Sequence, residues 1–122
     1  MEAINIQEKF SQIKDLWHPY IIGELNENYI KLCKIKGEFV WHKHDEEDEL
    51  FIIFKVPFIM DFMDKTIAMH EGDIIIVPKG VEHRPRTVDG EAWNMLIEPK
   101  ATKHSGEVQS DKTVEIENQE WI

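Results

Sequence analysis

Short segments rich in Ile, Val, Phe and Tyr alternate with turn signals from residue 20 to about residue 100, and few folds accommodate this alternation. The turn signals occur at residues 26–28, 44–48, 63–65, 71–73, 78–80 and 88–90. Such spacing is typical of strands joined by short turns. We predict strands near residues 20–25, 29–36, 38–43, 49–55, 58–62, 66–70, 74–77, 83–87 and 92–97. The expected fold is all-β, an antiparallel β-barrel or jelly roll, rather than a set of βαβ units.

The segments on either side of this region differ from it. Ile6, Phe10 and Ile13 are spaced by four and three residues, which predicts one short helix within residues 4–16. After residue 100 the chain becomes polar, and Trp121 near its end favours docking of this stretch over a loosely ordered tail. With 122 residues the chain suits a single domain. We divide it into an N-terminal helical segment (1–18), a β-barrel (19–100) and a polar C-terminal segment (101–122).

Composition limits the partners and the location. The 24 acidic and 14 basic residues give a net charge of −10, so neither nucleic acid nor an anionic membrane surface is an expected partner. The apolar runs are far shorter than the roughly 20 residues that cross a bilayer, and the first residues lack a signal-peptide pattern. We therefore expect a cytoplasmic protein. The single Cys33 has no partner for an intrachain disulfide and is interpreted as a buried strand residue rather than a nucleophile.

Two histidines one residue apart precede five consecutive acidic residues in the stretch 42–49. Residues two apart on a strand point to the same face, so His42 and His44 are expected to project together. If residues 45–48 form a turn, Glu49 opens the next strand opposite the two imidazoles. Each feature alone has a simpler explanation, namely a surface histidine pair and a solvated acidic loop.

A fourth candidate ligand, again a histidine, follows a second pattern about forty residues later. Gly72 and Gly80 are suited to positive φ at the two ends of a strand, Pro78 fixes the chain direction, and His83 begins the next strand. The candidate ligand set is then His42, His44, Glu49 and His83. Three imidazoles and one carboxylate suit a divalent first-row metal and leave one or two coordination positions open. A cation would also offset the repulsion among the adjacent carboxylates.

These residues resemble the two motifs of the cupin family. The first motif is Gly-x5-His-x-His-x3 or x4-Glu-x6-Gly, and the second is Gly-x5-Pro-x-Gly-x2-His-x3-Asn. The second matches here from Gly72 to His83 without a gap. Three positions depart from the motifs: Gly37 is one residue closer to His42, and Val56 and Thr87 replace the closing glycine and asparagine.

The resemblance covers roughly residues 30–98 and carries several expectations. It implies a β-barrel with the metal inside, in which the ion is Zn, Ni, Fe or Mn, a small-molecule ligand and a homodimer. The chain resembles the small single-domain bacterial cupins often labelled mannose-6-phosphate isomerase-like, a label that describes similarity rather than activity. The four family ligands correspond to His42, His44, Glu49 and His83.

Apolar side chains at alternating positions are expected inside such a barrel, either as plain core or as the wall of a ligand pocket. The candidate pocket residues are Phe51, Ile53, Phe62, Trp93 and Met95. Arg84 and Arg86 alternate with His83 and are expected on the opposite face, which disfavours phosphate binding. The other histidines, such as His104, are interpreted as surface or capping residues.

Two functions remain open at this point. The first is a metal-dependent enzyme acting on a small molecule, namely an isomerase, a dioxygenase or a lyase. The second is a non-catalytic cupin that binds a small ligand and keeps the metal for structure. No general base is assigned, because Glu49 is occupied as a ligand.

Overall fold

The computed structural model describes all 122 residues. One helix, α1 (Ile6–Gln12), precedes eight strands. The strands are β1 (Tyr20–Leu25), β2 (Asn28–Ile35), β3 (Glu49–Lys55), β4 (Phe58–Phe62), β5 (Thr66–Met69), β6 (Ile74–Val77), β7 (His83–Arg86) and β8 (Ala92–Pro99). A single 3₁₀ turn follows at Ile116–Asn118. Neither helical element has the length and apolar character that crossing a bilayer requires.

The strands form two antiparallel sheets, which confirms the predicted all-β jelly-roll fold with a short N-terminal helix. The larger sheet has the order β1-β2-β8-β3-β6 and the smaller one the order β5-β4-β7. Cys33, Phe51 and Met60 are among the buried side chains of the main apolar cluster, to which both sheets contribute. Buried polar residues, described below, lie beside this core at one end of the barrel.

The sequence predicts nine strands, and the third of these, residues 38–43, does not form. They approach β7 through two isolated bridge pairs, Glu38 with Arg86 and His42 with His83. Between these pairs Phe39 N donates to Pro85 O at 3.0 Å, but Pro85 has no N–H to return the bond. This missing donor and a one-residue shift of register between the two bridges interrupt the ladder, and the segment follows β7 as a loop.

A second apolar cluster lies on the outer face of the larger sheet, under α1. The helix begins at its N-cap Asn5, whose side chain accepts from Glu8 N, and it buries Phe10. The Phe10 ring stacks on Trp93 of β8 with a centroid distance of 5.0 Å, and Met95 packs against the same cluster. The odd-numbered side chains of β8 therefore point outward, against the helix.

The C-terminal segment docks on the barrel. Trp121 forms a parallel bridge with Ile21 of β1, and Ile122 N donates to Ile21 O at 3.1 Å. The Trp121 ring also meets Tyr29 edge to face at 5.6 Å. The end of the chain thus covers the free edge of β1, which would otherwise expose unpaired backbone groups.

Candidate metal centre

Four residues from three separate parts of the chain meet at one end of the barrel. His42 and His44 lie in the loop before β3, Glu49 opens β3, and His83 opens β7. His42 N donates to His83 O at 3.1 Å and His83 N donates to His42 O at 2.9 Å, which holds the loop against β7. One potential ligand atom from each of the four residues lies within 4.8 Å of the others, and all four residues are buried.

The spacing of the ligand atoms suits a single ion. Glu49 Oε1 lies 3.0 Å from His44 Nε2 and 3.1 Å from His83 Nε2. Two donors that each lie about 2.1 Å from one ion, at a right angle, are about 3 Å apart. The His42 ring centroid is 4.3 Å from that of His83 and 5.0 Å from that of His44. The side chains are therefore already close to the arrangement that coordination requires.

Two backbone carbonyls fix the orientation of two imidazoles. His42 Nδ1 lies 2.8 Å from Val40 O, and His83 Nδ1 lies 2.9 Å from Val81 O. A carbonyl only accepts, so in each ring Nδ1 carries the hydrogen and donates, which leaves the lone pair on Nε2. Such an outer hydrogen bond is typical of metal-binding histidines.

The protonation states also favour a metal. Burial and the neighbouring His83 lower the pKa of His42 to about 4, so that its imidazole is neutral near pH 7. Burial alone would raise the pKa of Glu49, but the neighbouring Glu98 carboxyl and the adjacent His44 and His83 rings hold it well below its usual range. Neutral imidazole and ionised carboxylate are the forms that bind divalent ions.

The ring nitrogens of His44 show whether the site suits a metal ion. Both of its ring nitrogens are buried without a hydrogen-bond partner, since the 3.0 Å approach to Glu49 Oε1 lacks hydrogen-bond geometry. A buried polar atom without a partner is costly. An ion bound through His44 Nε2 would give that atom a partner, so the residues present fit a divalent transition metal.

The five consecutive acidic residues have two different environments: four lie in a loop, and the fifth, Glu49, is a candidate ligand. Residues 45–48 lie in the loop, where Asp48 Oδ1 accepts from Lys79 N at 2.8 Å, and only Glu49 of the five points into the barrel. Gly80 adopts the positive φ of 80° that the motif requires, and its N–H donates to His44 O at 2.8 Å. The second motif therefore holds the first in place through its backbone.

Thr87, which replaces the closing asparagine of the second motif, joins the two motifs. Its Oγ1 accepts from Gly37 N at 2.8 Å and donates to Gly90 O at 2.9 Å. Its own N–H donates to Gly37 O at 2.9 Å. The two departures at Gly37 and Thr87 thus contact each other, and neither touches a ligand.

A cavity adjoins the four-residue cluster and is partly lined by His42 and Glu49. It offers about 40 Å³ to the centres of water-sized molecules. Since one water requires roughly 10–15 Å³ by this measure, the space holds about three waters or a very small ligand. Its apolar wall includes Trp17, Phe39 and Phe51.

Of the five predicted pocket residues, only Phe51 lines this cavity. Ile53 is buried in the main core, and Phe62 lies in a separate surface groove with Ile67 and Ile75. The assignment of Trp93 and Met95 to the pocket is wrong, because α1 covers the outer face of β8 and these apolar side chains serve that contact.

The inward face of β8 includes two polar side chains that sequence reasoning passed over. Asn94 and Glu98 line the cavity, and Glu98 Oε1 accepts from the buried Lys31 Nζ at 2.8 Å. Burial and the adjacent Glu49 raise the pKa of Glu98 well above its usual range. The sequence did contain a signal for this. Asn94 and Glu98 both have even numbers, so they lie on the same face of β8, and two polar residues on one face of a mostly apolar strand indicate a site rather than apolar core.

His104 is the other residue that the sequence did not identify. It lies in the C-terminal segment, lines the cavity and packs on Phe39 with a ring-centroid distance of 4.7 Å. The interpretation as a surface or capping residue is therefore incomplete. By contrast, the His70 side chain is 86% exposed and pairs with Asp73, away from the cluster.

Comparisons with known proteins agree with this geometry. The family model described as Cupin domain matches residues 32–97. The uncharacterized protein YdbB of Bacillus subtilis (strain 168) is 35% identical over 78 residues, which are 63% of this chain and 69% of YdbB.

Two solved structures are also similar. A cupin-2 domain containing protein from Shewanella frigidimarina is 41% identical with a TM-score of 0.77, over 80% of this chain and 94% of that one. A protein from Neisseria meningitidis is 32% identical with a TM-score of 0.73, over 80% of this chain and 99% of that one. The motifs, the fold and the family match over more than half of the sequence agree: this chain belongs to the cupin family.

Proposed function

We propose that the protein binds a divalent transition metal through His42, His44, Glu49 and His83 and acts as an enzyme on a small molecule held in the adjoining cavity. The observation that supports this most is the position of the cavity, which two of the four ligand residues line. A metal with a purely structural role would not need a space beside it.

The metal would supply Lewis acidity or redox chemistry to a bound oxygen atom. The residues of the chain provide the surroundings. Phe39 and Phe51 limit access of water from the sides, and Asn94 and Glu98 place polar atoms next to the ligand. Lys31 holds the Glu98 carboxyl in place through a bond within the barrel.

The proposal does not include a mannose-6-phosphate isomerase-like activity. A sugar phosphate is larger than the roughly three waters that the cavity holds, and Arg84 and Arg86, which could otherwise bind its phosphate, both bind the buried Asp61 on the smaller sheet. Arg84 also pairs with Glu38, and its guanidinium lies 4.9 Å from the Trp41 ring centroid. Neither guanidinium lines the cavity.

Metal analysis of purified variants tests the ligand assignment. We expect His42→Ala and His83→Ala to lose most of the bound transition metal measured by plasma mass spectrometry. His70→Ala is the matched control, because His70 is exposed and remote from the cluster. Equal metal content in all three variants would contradict the proposal.

A non-catalytic ligand-binding cupin is the second candidate, and the small volume of the cavity favours it. Thermal-shift screening of metal-loaded protein with small acids, phenols and sugar phosphates would find ligands, and product analysis would then separate the two candidates. A compound that stabilises the protein without being converted supports the binding function. Turnover that disappears with the metal supports the enzyme.

We also propose that two copies associate through β6, the edge strand of the larger sheet. Ile74 and Ile76 on this strand are each 60% exposed, and β6 has a hydrogen-bonding partner, β3, on one side only. Antiparallel pairing of two β6 strands would satisfy the free backbone groups and bring the exposed apolar side chains of the two copies into contact. Light scattering after size exclusion should give a dimer mass that falls to a monomer in Ile76→Lys. A monomer of the unmodified protein at high concentration would contradict this.

A further inference from the structure

We propose that the C-terminal segment (101–122) supplies His104 as the hydrogen-bond donor that positions and selects the ligand beside the metal, and that this ligand is a small carboxylate. The inference rests on the proposed metal site. It adds a residue from outside the stretch that matches the family, which ends at residue 97.

The hydrogen bonding of the His104 ring determines which nitrogen can serve a ligand. Val114 N donates to His104 Nδ1 at 2.9 Å, so Nδ1 is an acceptor and the neutral ring carries its hydrogen on Nε2. The ring makes no other hydrogen bond. Its Nε2 atom is not one of the fully buried polar atoms, so it remains accessible from the cavity side. Burial lowers the pKa of His104 to about 3, which keeps this neutral form near pH 7. The ring thus presents an N–H group with no partner in the protein.

The other side-chain N–H donors around the cavity already have partners in the protein. His42 and Glu49 belong to the metal cluster, Glu98 accepts from Lys31, and Asn94 Nδ2 donates to Cys33 O at 3.3 Å. The indole N–H of Trp17 donates to Lys36 O at 3.2 Å. His104 is the remaining side chain whose N–H is fully available.

The C-terminal segment is seated tightly enough to hold this ring in place. Gly106, two residues after His104, has a φ of 59°, and a Cβ added there would lie 2.1 Å from Lys43 O. Lys43 stands between the two motif histidines, so the segment rests directly on the metal-binding loop. Ser105 is fully buried, with its Oγ 2.6 Å from Thr113 Oγ1.

Charge determines the class of ligand. Glu49 offsets one of the two charges of a divalent ion, and the three imidazoles are neutral when bound. The ammonium of Lys31 is offset at most by Glu98. In either protonation state of Glu98, at least one positive charge is left in a buried site, where an anion is strongly favoured. A carboxylate has one oxygen for the metal and a second one to accept from His104 Nε2–H.

Acetate binding to the Co²⁺-loaded protein tests the proposal, because the visible spectrum of Co²⁺ reports ligands without any need for turnover. We expect His104→Phe, which keeps an aromatic ring against Phe39 but removes the donor, to weaken acetate binding by at least about tenfold. His104→Gln retains an N–H donor and should stay within about threefold of the unmodified protein. All three should bind one equivalent of Co²⁺.

His18→Phe is the matched control. His18 Nε2 accepts from Glu120 N at 3.1 Å and therefore also fastens the C-terminal segment, but His18 does not line the cavity. Its acetate affinity should be unchanged. If His18→Phe weakens acetate as much as His104→Phe, the effect comes from docking of the segment and the inference is overturned.

The remaining outcomes separate the inference from the proposed function. Stoichiometric Co²⁺ binding combined with equal acetate affinity in His104→Phe, or with no response to acetate at all, overturns the role of His104 and leaves the metal site intact. Failure of the unmodified protein to bind Co²⁺ overturns both.

A measurement on the Zn²⁺ protein needs no variant. With ¹⁵N-labelled histidine, the ring of His104 should show the Nε2–H tautomer, and acetate should shift that proton. A His104 ring proton that does not respond to acetate would overturn the inference.

Discussion

Asp61 binds two arginines of the smaller sheet and makes the stability of the protein depend on pH. Its buried carboxylate accepts from Arg84 Nη2 at 2.9 Å, from Arg86 Nε at 2.6 Å and from Thr66 Oγ1 at 2.9 Å. Burial opposes ionisation, but the bonds from Arg86 and Arg84 prevail and lower the pKa of Asp61 to about 2 from an ordinary 3.8. The folded state therefore binds this proton less readily than the unfolded state does.

The sign and size of the effect follow from this difference. A carboxyl with a lowered pKa in the folded protein contributes stability above its unfolded pKa and loses it as the pH falls. The difference between 3.8 and about 2 corresponds to about 2 kcal/mol of unfolding free energy. About half of this contribution should be lost by pH 3 and nearly all of it below pH 2.

Asp61→Asn is the perturbation that isolates this contribution, because it removes the titrating group and keeps the side-chain shape. Both arginine side chains are about a quarter exposed, so we expect a loss somewhat below the ~3–5 kcal/mol of a fully buried pair, about 2–3 kcal/mol at pH 7. Urea unfolding in the presence of a chelator, followed by tryptophan fluorescence, gives the free energies of both proteins at pH 7, 5 and 3. The gap between them should be constant from pH 7 to about 5 and should narrow by about 1 kcal/mol at pH 3. A gap that does not change with pH would refute the reasoning.

Three further predictions concern other parts of the molecule. Burial raises the pKa of the Cys33 thiol far above its usual range, so it should react with a thiol reagent at pH 8 only after unfolding in urea, and rapid reaction of the native protein would contradict this. Gly106→Ala should lower the melting temperature more than Gly72→Ala. Both glycines have positive φ, but only a Cβ at Gly106 would collide with backbone. Zn²⁺ at a hundred times its dissociation constant should stabilise the protein by about 2.7 kcal/mol in urea unfolding, and Glu49→Gln should remove most of this gain.

The sequence predicted the candidate ligands better than it predicted the cavity. His42 and His83 were identified from motif spacing, which depends on local turns such as the one at Gly80. The residues that line the cavity are set by which face of each strand points inward. A prediction that is shifted by one residue along a strand selects the wrong face for every side chain. On β8 the apolar side chains of Trp93 and Met95 suggested an inward face, whereas α1 supplied the apolar partner outside.

The two other failures have different physical origins. Residues 38–43 fail to form a strand because Pro85 of the neighbouring strand lacks a donor and the register along it shifts by one residue. The local pattern of the segment itself contains no warning of either feature. His104 reaches the cavity because Gly106 allows the C-terminal segment to approach Lys43 O closely. No periodicity in a polar, irregular segment could have shown that contact.

The buried Lys31 and Glu98 pair is better explained by the site than by the fold. Placing two charges in the interior carries a desolvation cost that their attraction often fails to offset, and apolar residues of similar size commonly stabilise a protein as well or better. Glu98 Oε2 is moreover left without a hydrogen-bond partner. Yet the pair lies where β2 and β8 meet the metal cluster, with Glu98 against Glu49 and on the cavity wall. A pair that contributes little to stability but lies next to the ligand residues fits the role that we propose for the cavity, where both side chains would act on a bound ligand.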